Sequence, residues 1–147
     1  MISVLLVSHG KMAEGMKDSA IMIVGEQTQF ETLSLNPGQD ISQLKIQLCD
    51  YTKILDSGDG VLIFVDLYGA SPYNAAMGCI QDWDQLGMNV RVITGMSLPM
   101  VINAVCNRDN STLYDLANEC IETGHENIQD AIDNFFNIAN ENSNDDY

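Results

Sequence analysis

The stretch ISVLLVSHG, residues 2–10, decides the fold. Its apolar run, Ile2 to Val7, lacks regular polar alternation, as is typical of a strand that is buried on both faces of a sheet. Val61 to Val65 is a second run of this kind, and Phe30 to Leu35 and Val90 to Thr94 are further strand candidates. The sequence therefore predicts four strands, two of them fully buried.

Helical patterns separate these runs. A first helix is predicted from about Lys11 to Val24, where Gly25 ends it, and a second follows Asp40, which is placed to act as its N-cap. The apolar stripes consist of Met12, Met16, Ala20 and Ile23 in the first helix and of Ile41, Leu44, Leu48, Tyr51 and Leu55 in the second. Strands that alternate with helices predict an α/β, doubly wound, mostly parallel sheet of about four to five strands, with helices on both faces.

The later part of the chain continues with helices. Ser71 and Pro72 predict the start of a third helix, with Ser71 as its N-cap and Pro72 as its first residue. One further helix is predicted to end near Asn107, and another to follow a cap at Ser111 or Thr112.

The carboxyl-terminal segment is less regular. Residues 125–139 carry apolar side chains at helical spacing, in Asn-rich surroundings. Residues 141–147 are polar and acidic and are predicted to form a flexible tail. Because the chain has no internal repeat and no Pro-rich linker, it is predicted to form a single domain of residues 1–140 followed by that tail.

Charge and hydropathy exclude several classes of protein. With 21 acidic and 6 basic residues, the net charge is −15, so a nucleic-acid partner is disfavoured. An acidic surface can steer a basic partner protein, or it can simply be a solvated face. The apolar runs are far shorter than the roughly 20 residues of a membrane helix. No basic leader precedes the first strand, so a cytoplasmic location is predicted.

The spacing of the cysteines and histidines in the sequence is not that of a metal site. Four cysteines are scattered without a Cys-x-x-Cys pair, which argues against a zinc site and a redox dithiol and favours buried free thiols. These are Cys49, Cys79, Cys106 and Cys120. The two histidines, His9 and His125, lie far apart in the sequence. No metal and no cofactor are predicted.

His9 and Asp66 each follow a buried strand, at its carboxyl end. In an open parallel sheet, ligands bind outside the carboxyl ends of the strands, where successive connections go to opposite faces. An Asp66 carboxylate that accepts a hydrogen bond from Nδ1–H of His9 would fix the tautomer and leave the lone pair of Nε2 free. The sequence therefore predicts a histidine that accepts and passes on a phosphoryl group.

Phosphoryl transfer also needs donors for the phosphate oxygens. The start of the third helix, with the Ser71 hydroxyl and the flexible Gly69 before it, can provide them. Taken singly, each residue has a simpler interpretation. A lone histidine is commonly a surface residue, and Asp66 or Ser71 can serve as a helix cap or turn residue. The pairing of His9 with Asp66 favours the functional interpretation, whereas His125 lacks such context and is predicted to lie on the surface.

Several motifs in register resemble one known family over nearly the whole chain. They are VSHG at residues 7–10, GE at 25–26, PG at 37–38, VDLYGASPYN at 65–74, GMSLPM at 95–100 and ETG at 122–124. The sequence resembles the EIIA component of the mannose, fructose and sorbose type of the phosphoenolpyruvate-dependent sugar phosphotransferase system (PTS). The DLYGASPYN string is the most specific of these motifs.

The resemblance implies that His9 is phosphorylated by the carrier protein HPr and passes the group to an EIIB partner, which serves the membrane components EIIC and EIID. It also implies a homodimer in which an edge strand near the carboxyl terminus is exchanged between subunits. The family's active-site residues match His9, Asp66 and Ser71. By similarity, phosphate- or partner-binding positions are Gly10, Leu67, Gly69, Ala70, Met96 and Pro99.

Two departures from the family pattern and three alternatives accompany this prediction. The helical spacing of residues 125–139 conflicts with an exchanged strand, and the chain lacks an Ala/Pro-rich linker and an EIIB domain, as expected of a free-standing EIIA.

The alternatives are the phosphoryl-donor subunit of dihydroxyacetone kinase, a regulatory domain that binds according to its phosphorylation state, and a flavodoxin-like module. The transported sugar cannot be predicted, because other subunits determine specificity.

Overall fold

The computed structural model describes residues 1–144, which form four β-strands and seven α-helices. The strands are β1 (Ser3–His9), β2 (Phe30–Leu35), β3 (Val61–Val65) and β4 (Val90–Ile93). The helices are α1 (Met12–Val24), α2 (Ile41–Leu55), α3 (Ser71–Met77), α4 (Ile80–Gln85), α5 (Leu98–Asn107), α6 (Leu113–Glu126) and α7 (Ala131–Asn144).

The four strands form one parallel sheet in the order β2-β1-β3-β4. In the register of the central pair, Val7 lies opposite Val65. The two central strands, β1 and β3, are the runs that the sequence analysis predicted to be buried on both faces, and every residue from Val61 to Val65 is buried. The predicted α/β class and parallel sheet are therefore confirmed.

Helices cover both faces of the sheet. Side chains of α1, α5 and α6 pack with Val4 and Leu6 of β1, whereas side chains of α2, α3 and the start of α4 pack with Leu5 and Val7. The helix that follows β1 therefore packs on one face of the sheet, and the helix that follows β3 packs on the other face. The carboxyl ends of β1 and β3 consequently border the switch point, where ligands bind in folds of this type.

Local capping explains where several helices begin. Asp40 accepts a hydrogen bond from the N–H of Ser42 (3.1 Å) at the start of α2, as predicted. Thr112 caps α6 by accepting from the N–H of Asp115 (3.2 Å), one of the two predicted positions.

The predicted cap of α3 is wrong by one position. Ala70 is the N-cap and Ser71 is the first helical residue, so Pro72 becomes the second. Proline is tolerated there because the amides of a first helical turn have no intrahelical partner.

The predicted apolar face of α1 is also partly wrong. Met12 and Ile23 are exposed, while Ala13 and Ala20 are fully buried and Met16 packs at the edge of the core. Two overlapping stripes of apolar residues occur in this helix, and periodicity does not distinguish them. The small Ala13 faces the sheet because it permits a closer approach of α1.

The prediction of free thiols is wrong for two of the four cysteines. Cys49 on α2 and Cys79, just before α4, form a disulfide with a Cα–Cα distance of 5.7 Å, although free thiols were predicted. Their separation of 30 residues in the sequence conceals a proximity that arises from the packing of α2 against α3. Cys120 is a buried free thiol, as predicted, whereas Cys106 is free but exposed.

The carboxyl-terminal segment after α6 is helical. Helix α7 covers residues 131–144 and so extends into the predicted acidic tail, of which residues 145–147 lie outside the described part of the chain. The boundary between domain and tail stays a prediction. Across residues 1–144, none of the helices has the length and apolar character needed to cross a membrane.

Candidate active site

His9 is the last residue of β1 and lies at the carboxyl edge of the sheet. Residues Ile2 to Ser8 before it are all buried, but the His9 side chain is 48% exposed. The chain turns immediately afterwards at Gly10, whose φ of +52° lies in the left-handed region that glycine adopts without strain. The N–H of Gly10 donates to the carbonyl of Leu35 at 2.9 Å, which attaches the turn to β2.

Asp66, directly after β3, binds His9 twice through the same oxygen. Its Oδ2 lies 2.7 Å from Nδ1 of the His9 ring and 2.8 Å from the main-chain N of His9. The other oxygen, Oδ1, accepts the N–H of Leu67 at 2.8 Å. The predicted pairing of His9 with Asp66 is therefore present in the structure.

The surroundings of Asp66 determine its charge state. Burial, which leaves its side chain 10% exposed, by itself raises the pKa of the carboxyl. Hydrogen bonds from the main chain and ring of His9, the charge of His9 and the N–H of Leu67 outweigh burial, so the pKa of Asp66 lies below its usual value. Asp66 is thus a carboxylate at neutral pH, and Nδ1 of His9 carries the proton that it accepts.

Ser8 is a site residue that the sequence analysis missed. It is fully buried, and its Oγ accepts the N–H of Ala13 at 2.7 Å and donates to the carbonyl of His9 at 3.1 Å. A polar residue inside a buried apolar strand was the available signal, since such a hydroxyl needs a partner.

The loop that follows Asp66 leads into α3. Gly69 has a φ of +76°, and its carbonyl accepts a hydrogen bond from Nδ2 of Asn74 at 3.1 Å. This contact ties the loop to the first turn of α3, where Ser71 is half-buried. Within residues 1–144, no hydrogen bond joins Ser71 to His9 or Asp66, and Ser71 lies on the helix that follows the loop after Asp66.

The other residues assigned by resemblance differ in exposure. Leu67 and Tyr68 are 60% and 74% exposed, and Tyr68 stacks at a tilt on Tyr73 with 4.9 Å between ring centroids. The N–H of Met96 donates to the carbonyl of Val65 at 3.2 Å, but its side chain belongs to the core.

Pro99 and His125 lie on α5 and α6. Pro99 lies half-buried in the first turn of α5. His125 is exposed, as predicted, and lines an open cavity of about 630 Å³ beside β4 together with Tyr68 and Tyr73. In residues 1–144, no three His, Cys, Asp or Glu side chains lie close enough together to form a metal site.

The arrangement of His9 and Asp66 at the switch point matches a family pattern that covers most of the chain. The model of the family described as "PTS system fructose IIA component" matches residues 3–121. The chain belongs to this family.

Individual relatives agree with this membership. The chain is 31% identical to the PTS system mannose-specific EIIAB component of Escherichia coli over 129 residues, which cover 87% of this chain and 39% of that protein. It is 32% identical to the sorbose-specific EIIA component of Klebsiella pneumoniae over 116 residues, covering 79% of this chain and 82% of that protein. The fructose-specific EIIA component of Bacillus subtilis is 29% identical over 88% of this chain and 86% of its own length.

Solved structures show the same fold. The mannose/sorbose-specific IIA subunit from Enterococcus faecalis aligns with a TM-score of 0.77 and 28% identity, covering 88% of this chain and 93% of that one. The PTS IIA protein associated with the fucose utilization operon of Streptococcus pneumoniae aligns with a TM-score of 0.78 and 27% identity, over 92% of this chain and 99% of that one. The EIIA fold is thus shared along nearly the whole chain.

Proposed function

We propose that His9 is the phosphoryl acceptor of this EIIA protein, which takes the group from phospho-HPr and passes it to an EIIB partner. The observation that carries the proposal is the double contact between Asp66 and His9, 2.7 Å to the ring and 2.8 Å to the main chain. This contact keeps the proton on Nδ1 and directs the lone pair of Nε2 away from the carboxylate.

The proposed reaction is an in-line transfer between two histidines. The lone pair of His9 Nε2 forms a bond to phosphorus while the bond between phosphorus and the donor histidine's nitrogen breaks, and that nitrogen keeps the bonding electrons. The His9 ring then carries a positive charge, which the carboxylate of Asp66 stabilises. Transfer to EIIB reverses these roles, and no cofactor is required.

The loop before α3 supplies donors for the phosphate oxygens in this proposal. Gly69 lets the backbone approach the phosphate, and the amides after Ala70 together with the Ser71 hydroxyl lie at the start of a helix, where N–H groups lack intrahelical partners. Because transfer depends mainly on positioning and charge stabilisation, these donors complete the site.

Partner proteins dock on the exposed rim of the site. Leu67 and Tyr68, just after Asp66, and Met12, just after His9 in the chain, are exposed apolar side chains, and the chain as a whole carries a net charge of −15. A partner with a basic and partly apolar surface suits this combination, since opposite charges accelerate association. Through EIIB, the protein would serve the membrane components EIIC and EIID from a cytoplasmic location.

The protein is further proposed to form a homodimer that covers β4. This strand is at one edge of the sheet, and the cavity beside it is lined by apolar residues that include Val92 and Ile128. Helix α7 exposes a second apolar surface, formed by Ile132, Phe135, Phe136 and Ile138. Edge strands and apolar patches of this kind are commonly covered by a partner.

The exchanged edge strand implied by the family resemblance remains a prediction. No strand follows β4 within residues 1–144, and exchange would require residues 131–144 to leave the helix. Sedimentation equilibrium tests the dimer itself. We expect Phe135→Asp to weaken it and the nearby exposed Asn137→Asp, which adds the same charge, to leave it unchanged; a monomeric wild-type protein would refute it.

The phosphoryl acceptor is tested by incubation with phosphoenolpyruvate, enzyme I and HPr, followed by intact mass spectrometry and phosphorus NMR. The chain offers a matched control because it contains two histidines. His9→Ala should abolish an acid-labile, phosphoryl-sized mass gain, whereas His125→Ala should retain it. Labelling of His9→Ala at the wild-type level would remove His9 from the mechanism.

A further inference from the structure

We propose that Ser8 is a positioning residue for phosphoryl transfer, which fixes the main chain of His9 so that Nε2 faces the incoming phosphorus. The inference rests on the proposed function of His9 and assigns a role to a residue that does not touch the phosphoryl group. Its basis is the network of hydrogen bonds around the turn between β1 and α1.

The Ser8 hydroxyl connects the strand to the helix. It accepts the N–H of Ala13, in the first turn of α1, at 2.7 Å and donates to the carbonyl of His9 at 3.1 Å. Lys11, the N-cap residue of α1, makes no side-chain cap hydrogen bond. Ser8 therefore satisfies a buried helix amide from the preceding strand, where a cap residue would ordinarily act.

The main chain at His9 is fixed from three directions. Its N–H donates to Asp66 (2.8 Å), its carbonyl accepts from Ser8 (3.1 Å), and the next amide, that of Gly10, donates to Leu35 (2.9 Å). These contacts set the direction of the Cα–Cβ bond of His9. With that direction, Nδ1 lies 2.7 Å from Oδ2 of Asp66 while the His9 side chain stays 48% exposed.

Reactivity depends strongly on such geometry. Productive sites need their groups within roughly 0.5 Å and 10–20° of the correct arrangement, and a misplacement of about 1 Å can reduce a rate 100-fold. Loss of the Ser8 hydroxyl removes one of the three contacts and also releases the start of α1. We infer that the His9 ring then samples orientations in which its bond to Asp66 is lost.

Ser3 provides a matched control on the same strand. It is also fully buried, and its Oγ donates to the carbonyl of Leu55 at 2.6 Å. This contact lies at the amino end of β1, remote from His9. Ser3→Ala and Ser8→Ala therefore remove the same hydroxyl oxygen from equally buried positions. They differ in whether the lost hydrogen bond involves His9.

The experiment compares Ser8→Ala, Ser8→Thr and Ser3→Ala at a temperature where each variant is folded. The rate of phosphoryl uptake from phospho-HPr is measured, and the ¹⁵N shifts of the His9 ring report its tautomer. For Ser8→Ala we expect uptake to fall roughly 10-fold and the ring to lose its single tautomer. Ser8→Thr, which keeps the hydroxyl, should restore both, and Ser3→Ala should change neither.

Two outcomes would overturn the proposal: wild-type uptake and ring shifts in folded Ser8→Ala, or an equal loss of uptake in Ser3→Ala. If Ser8→Ala does not fold, Ser8→Cys replaces it, because it conserves volume while sulfur is a weak acceptor. If the wild-type protein is not phosphorylated on His9, the proposed function fails, but the ring shifts of the variants still decide whether Ser8 positions His9.

Discussion

The two ends of β1 use similar hydrogen bonds for different purposes. At the amino end, Ser3 donates to the carbonyl of Leu55 and Arg108 donates to several carbonyls, so that these main-chain acceptors are satisfied. At the carboxyl end, Ser8 and Asp66 fix His9 in the same way, but Nε2 of His9 forms no hydrogen bond within residues 1–144. Hydrogen bonds among buried groups stabilise the fold at the amino end, whereas at the carboxyl end a half-exposed ring keeps one nitrogen free to react.

Arg108 donates four hydrogen bonds at the amino end, although within residues 1–144 its buried Nε has no partner. It is 3% exposed and donates to the carbonyls of Ile2 (3.5 Å), Thr28 (2.6 Å) and Gln29 (3.1 Å) and to Oε1 of Gln27 (3.3 Å). Burial lowers the pKa of its guanidinium, against the opposing charge of Asp109. The side chain thus ties α5 to the segments that begin β1 and β2.

The largest effect that distinguishes the two ends is expected for Asp66→Asn. Loss of the carboxylate removes the charge that stabilises the phosphorylated ring and the bond that enforces its tautomer, so uptake should slow about 100-fold or more. The fold should persist, because the amide oxygen can still accept a hydrogen bond. Stopped-flow or quenched-flow labelling with phospho-HPr measures this rate.

Asp59→Asn is the matched control for that variant. Asp59 pairs with the amino-terminal Met1 at the other end of β1 and is exposed. Its replacement should leave the uptake rate unchanged, and equal slowing in both variants would mean that general charge, rather than the contact with His9, determines the rate.

A smaller effect, on stability rather than on phosphoryl uptake, is expected for Arg108→Met. The substitution leaves buried carbonyls without donors and should lower the free energy of unfolding by about 2–3 kcal/mol. Uptake by the folded protein should not change. Urea denaturation and labelling of the same sample measure the two quantities, and a loss of uptake without a loss of stability would contradict the division between the two ends.

The smallest expected effect is the dependence of stability on pH at Asp66. Because folding lowers the pKa of this carboxyl, its contribution to stability is fully present above the unfolded pKa of about 3.9 and disappears as the pH falls through the folded value. The difference in unfolding free energy between wild type and Asp66→Asn should therefore decrease as the pH falls below about 4. A difference that grows towards acid pH would show the opposite sign of shift.

Much of the fold could be predicted because its signals are local. The apolar runs of β1 and β3, the caps Asp40 and Thr112 and the helical spacing of α5 each depend on a few neighbouring residues. The pairing of His9 with Asp66 followed from one additional rule, that the carboxyl ends of parallel strands meet at one edge.

The wrong predictions arose where the sequence allows several local arrangements and the packing of the elements selects one of them. The stripe of α1 that contains Ala13, the start of α3 at Ser71 and the bond between Cys49 and Cys79 all depend on how elements approach each other. Periodicity identifies an apolar stripe but does not specify which of two overlapping stripes faces the sheet.

The sequence by itself determined the alternation of four strands with helices, the parallel class of the sheet and the two residues, His9 and Asp66, whose chemistry suits phosphoryl transfer. Only the tertiary structure decided that Ser8 reaches both Ala13 and the carbonyl of His9, and that Cys49 meets Cys79. The physical reason is that propensity and patterning act over a few residues, whereas the partner of a buried polar group or thiol is selected by the packing of the whole domain.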